Sequence, residues 1–162
     1  VTDNVASIMV NNLRKIDPTA QDIIKIAACL GHSFSIEVLE LVVDQSISSR
    51  EDEEEKVADI LAKFEYDGLL EEEGDNVCHF SHDLVQSSAL ELIPLEKRGS
   101  FKGEIGAILL KHLPADMLDD YLFAAVSLRN WCAADLSEPE RMELAELNLK
   151  AGIKVSLVIF LL

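Results

Sequence analysis

Apolar residues return at helical spacing along almost the whole chain, a rhythm that leaves room for very little sheet. The clearest stretch is Val57, Ile60, Leu61 and Phe64, which fall at i, i+3, i+4 and i+7 and share one helix face. Val5, Ile8, Met9, Leu13 and Ile16 predict another helix over 4–16, with those five residues inward. Asp17-Pro18 then resets the chain: Asp17 can accept a free N–H of the next first turn, and Pro18 suits its opening position. Ile23, Ile24, Ile26, Ala27 and Leu30 carry a helix over 18–30, which Gly31 ends. Ser35 opens a third, with Val38, Leu39, Val42 and Val43 as its apolar face.

The rhythm breaks at two places. SISSREDEEE (46–55) is a polar loop with a run of five acids, which flows into the helix of Val57. EEEGDN (71–76) is a turn signal with Gly74-Asp75-Asn76 at its tip, and the flanking GLLEEE and VCHF predict a short hairpin. Three helices followed by a two-stranded wing is the order of a winged-helix unit, here over 17–94, preceded by a helix over 1–16. The remainder, 95–162, reads as helices alone. One covers about 95–112 (Phe101, Ile105, Ile108, Leu109) and one about 117–133 (Leu118, Leu122, Ala125, Val126). A third starts at the capping box Ser137-Glu138-Pro139-Glu140, with Leu144, Leu147, Ala151 and Val155 as its buried stripe. Gly99, Gly103 and Gly106 are scattered through the first of these, and Gly99 and Gly103 weaken it, each by about 1 kcal/mol relative to Ala. Antiparallel helices on short loops are the expected opening of a TPR-like helical array. The fold class predicted is therefore mostly α.

Charge narrows the partners. The chain carries a formal net charge of −16 over 162 residues, a surface that phosphate backbones and anionic membrane leaflets repel. Within 49–75 twelve acids face only Arg50, Lys56 and Lys63, so the helix and wing that would enter a DNA groove are flanked by carboxylates. No nucleic-acid and no membrane partner is expected. Cys29, Cys78 and Cys132 are odd in number and far apart, which fits a reduced, cytoplasmic setting. The run VSLVIFLL (155–162) is too short to span a bilayer and too apolar to stay uncovered, so both ends read as cuts through a longer chain.

One junction concentrates chemistry. VCHFSHDLVQSSALELIP (77–94) passes from a strand through Ser81-His82-Asp83 into a helix that stops at Pro94. Asp83 there is a good cap for the helix, and His82 beside it can touch a phosphate or sit at an ordinary surface. A metal set of Cys78, His79, His82 and His112 is disfavoured, because neighbouring strand residues point to opposite faces. No GxSxG, no GxxxxGK[ST] loop and no nucleophile with its base is present, so no catalytic residue is assigned and no ATP hydrolysis is expected of this segment alone.

Three blocks in order resemble a known family. TAQDIIKIAACLGHSFSIEVL (19–39), FSHDLVQSSALELIP (80–94) and ERMELAELNLKAGIKV (140–155) are similar to the segment that follows the nucleotide-binding core in STAND-type signalling ATPases, relatives of AAA+ proteins found beside kinase, GAF and histidine-kinase domains. Ser88 stands for the first Ala of the family's pair, Leu90 for its Tyr, and Leu128 for a His. The resemblance implies that the winged helix folds back on a neighbouring ATPase domain and passes its state to downstream helical repeats. By the same resemblance His82 contacts the β-phosphate of ADP held there, Asp83 takes the place of the residue beside it, and exchange for ATP releases the contact; on chemical grounds Asp83 can cap the helix and orient the ring. The alternative is an acidic helical scaffold that binds a protein partner with no nucleotide involved.

Overall fold

The computed structural model describes residues 2–46, 56–74 and 76–160, with side chains from 5 to 154 within those spans. The acidic run at 51–55 and Asp75 of the turn lie outside the described residues. The chain is mostly helical with one small three-stranded antiparallel sheet, and it divides into two compact units, Val1–Leu95 and Glu96–Leu162.

The first unit runs α1 (Thr2–Leu13), α2 (Pro18–Leu30), β1 (Ser33–Ser35), α3 (Ile36–Ser46), α4 (Val57–Tyr66), β2 (Leu70–Glu73), β3 (Val77–Phe80) and α5 (Asp83–Glu91). Asp17 caps α2 by accepting the Thr19 N–H at 2.8 Å, and Gly31 ends it at φ 140°, where a side chain would be strained. The strand order is β1-β3-β2, with Phe34 opposite Cys78 and Glu71 opposite His79. The two-stranded wing expected from sequence is therefore incomplete. Ser-Phe-Ser is too short to show a period of two, and only the backbone of β3 makes it a strand. Phe34 and Phe80 bury their rings 6.0 Å apart under that sheet, and Ile23, Ile24, Val38 and Ile60 are buried in the same unit.

Ser35 closes β1 and caps α3, accepting the Val38 N–H at 3.4 Å. Asn76, beyond the β2–β3 turn, completes that cap from 41 residues away. Its carbonyl accepts the Ile36 N–H at 2.9 Å, and its side-chain oxygen accepts the Glu37 N–H at 3.3 Å. The free donors of a helix start are thus met by a turn in another part of the sequence. In α1 the inward residues are Val10 and Leu13, packed toward α5, while Val5 and Ile8 are about half exposed. That corrects the five-residue inward face read from periodicity alone.

The second unit holds α6 (Arg98–His112), α7 (Ala115–Arg129) and α8 (Glu138–Phe160), with a 3-10 turn at Asn130–Asp135. The helix expected to reach 133 stops at Arg129, and Cys132 leaves helical geometry at φ −114°. The glycines of α6 explain the close approach there. A Cβ on Gly106 would lie 2.4 Å from the Arg129 backbone N, and one on Gly103 would lie 2.2 Å from Cys132 Sγ. With Gly99 near the Trp131 carbonyl, they form one face on which α7 and the 3-10 turn rest. Scattered in sequence, they are gathered in space.

Helix α8 opens as its capping box predicts. Glu140 accepts the Ser137 N–H at 2.9 Å and its hydroxyl at 2.6 Å. Leu144 and Ala151 are buried, Leu147 is half-buried, and the Val155 side chain lies outside the described residues. Asn130 and Asn148 exchange amide hydrogen bonds at 2.9 and 3.0 Å, tying the end of α7 to the middle of α8.

Candidate functional site at the β3–α5 junction

The central strand of the sheet delivers Ser81, His82 and Asp83 to one edge of the first unit. Ser81 fixes the exit: its hydroxyl donates to the Gly68 carbonyl at 2.7 Å and its N–H to the Leu69 carbonyl at 3.2 Å. His82 follows in extended backbone, φ −157° and ψ 144°, and is the N-cap of α5. Its Nδ1 accepts the Leu84 N–H at 3.0 Å. The imidazole, not the Asp83 carboxylate, is therefore the cap, which corrects the role read from sequence. Asp83 is already the first helical residue, one position too late to cap. Its side chain is 92% exposed.

A ring nitrogen that accepts a hydrogen bond carries no proton, so the neutral ring holds its hydrogen on Nε2. The ring is exposed, leaving that donor available to solvent beside the positive end of α5. The capping bond holds the ring in place. Asp83 lies in the first turn, where its charge favours the helix dipole.

Folding adds residues the sequence reading passed over. His32, just before β1, places Nδ1 3.4 Å from Asp83 Oδ1, and its ring lies 6.2 Å from that of His79. His79 in turn sets Nε2 3.3 Å from Glu71 Oε2 across the β2–β3 pair, while its Nδ1 is buried without a partner among the described residues. Both pairs have an exposed carboxylate, so each contributes little to stability. Only recognition of β1 could have brought His32 here, and three residues carry no such signal. Gln86 donates to the Ala28 carbonyl at 3.1 Å and pins α5 to α2.

Cys78 and His79 do point to opposite faces: the thiol is buried beneath the sheet and the imidazole lies on the outer side. Burial pushes the Cys78 thiol up in pKa, and the nearby Glu72 and Glu65 push it further. His112 ends α6 in the second unit. Among the described residues no group of three or more His, Cys, Asp or Glu is placed to hold a metal ion, and no helix is long and apolar enough to cross a membrane.

No family model matches the sequence, and no solved structure matches it. The hybrid signal transduction histidine kinase G of Dictyostelium discoideum is 42% identical over 45 residues, a stretch that is 28% of this chain and 1% of that protein. The match thus spans a very small part of the relative's length.

Proposed function

We propose that this chain is a non-catalytic regulatory segment of a STAND/AAA-type signalling ATPase. Residues 17–94 act as a winged-helix unit that senses ADP or ATP held by a neighbouring domain, and 95–162 begin a TPR-like array that relays the state. One observation carries the reading: His82 spends Nδ1 on capping α5 and turns an Nε2–H donor outward at that helix's N-terminus. An imidazole N–H and the partial positive charge of a helix start suit the oxygens of a diphosphate. The element order α2-β1-α3-α4-β2-β3-α5, with β1 on β3, supports the winged-helix assignment. The short likeness to a histidine kinase supports a place in signalling.

The nucleotide supplies the charge that distinguishes the two states, and this chain's part is to meet it or let it go. Two variants separate that part from capping. His82→Ser keeps a side-chain oxygen for the Leu84 N–H and removes the reach of Nε2, whereas His82→Ala removes both. In the full-length protein, fluorescent ADP should leave both variants several-fold faster than the parent, while only His82→Ala melts earlier. ADP release from His82→Ser at the parental rate removes the sensor role. A gene without an upstream Walker A motif removes the ATPase assignment.

A further inference from the structure

The first unit carries twenty of the thirty acids and six of the fourteen basic residues, and one depression on it joins that charge to an apolar floor. The depression lies between α4, the start of α3 and the inner face of β2 and β3. Small Ala58 and Ala62, both exposed on α4, leave it open, and Leu61 and Leu70 form its floor. Its volume is about 170 Å³, below the roughly 300–1,000 Å³ of small-molecule sites and suited to a single side chain.

Two carboxylates stand at its edge. Glu65 comes from the last turn of α4 and Glu72 from the edge strand β2, and both act on the Cys78 thiol that lines the same groove. Among the described residues neither forms an ion pair. Glu71 and Glu73 alternate to the other face of β2 and do not line the groove. A neutral apolar anchor alone would leave this pair facing empty solvent.

We infer that the groove between α4 and the sheet is a docking site for a basic segment of a partner protein, whose one aliphatic side chain enters between Ala58 and Ala62 while flanking Arg or Lys residues meet Glu65 and Glu72. Charge complementarity names the occupant: an acidic segment is repelled, and an uncharged one gains only the anchor. Steering by the unit's overall charge speeds the encounter, and the floor sets which sequences stay. The site is independent of the nucleotide reading, since it uses neither His82 nor Asp83.

Fluorescence anisotropy on the full chain with labelled synthetic peptides tests it. The probes are Arg-Arg-Leu-Arg-Arg, the same peptide with Ala for Leu, and Glu-Glu-Leu-Glu-Glu. The Leu–Arg peptide should bind saturably, the Ala form about tenfold more weakly, and the acidic one not at all. Ala62→Leu, at an exposed position that leaves the helix intact, should fill the floor and weaken binding about tenfold. The Glu65→Gln, Glu72→Gln double variant should weaken it and flatten its salt dependence, whereas Glu71→Gln, Glu73→Gln leaves the ranking of peptides unchanged. Equal binding of the Leu and Ala peptides overturns the proposal. So does full affinity in Ala62→Leu, or no saturable binding.

Discussion

His82 and Ser88 sit two turns apart on the same short stretch, and each shows what a single atom decides. The His82 ring would read as surface by exposure alone, yet its Nδ1 caps α5 by accepting the Leu84 N–H. Ser88, 1% exposed, buries a hydroxyl that finds no hydrogen-bond partner among the described residues. An unsatisfied buried hydroxyl costs about 1–3 kcal/mol, so Ser88→Ala should stabilise the protein by roughly 1 kcal/mol and raise its melting temperature. Thermal unfolding followed by circular dichroism checks this, and an unchanged or lower midpoint contradicts it. His82 was legible in sequence as a residue of interest, but its capping role was not, since Asp at a helix start is the better cap on average.

At the scale of the element, α6 and α8 use glycine for opposite ends. Gly106 lies where a Cβ would strike the backbone of α7, 2.4 Å from Arg129 N and 2.7 Å from the Ala125 carbonyl. A Cβ on Gly152 of α8 would meet no described atom within 4 Å. Gly106→Ala should therefore destabilise by about 1–3 kcal/mol through overpacking, even though Ala is the better helix former. Gly152→Ala should stabilise by about 0.5–1 kcal/mol, because only the propensity change remains. Denaturant melts of the two single variants test the contrast, and shifts of the same sign would overturn it. The start of α8 depends on charge in a known direction. Hydrogen bonds from Ser137, and then the Arg129 guanidinium, hold the Glu140 carboxyl below its usual range. A depressed carboxyl stabilises the fold above its unfolded value, so this contribution is present at neutral pH and fades as pH falls through the folded value.

The whole molecule carries −16, and twenty of its thirty acids lie in residues 1–95. Self-repulsion of that size opposes compaction over distances comparable with the screening length, about 8 Å at physiological salt. Added sodium chloride should raise the melting temperature between low ionic strength and about 0.15 M, where most exposed charges become screened. A midpoint that falls across that range would mean that attractive pairs dominate the surface. The exposed ion pairs described, Arg129 with Glu140 and Lys154 with Asp119 among them, are too weakly coupled to reverse the sign.

Local chemistry wrote most of the helices into the sequence. The Asp17 cap of α2, the Gly31 stop, the Val57–Phe64 stripe and the Ser137–Glu140 box each lie within one or two turns of the residues they order. What lies far apart along the chain needed the tertiary structure. Strand β1 exists because β3 passes beside Ser33–Ser35, Asn76 caps Glu37 of α3 from 39 residues away, and the glycines of α6 acquire meaning only against Arg129 and Cys132. The physical reason is one of range: periodicity and capping act over a few residues, whereas pairing, close backbone approach and the meeting of His32 with Asp83 depend on which segments the core draws together.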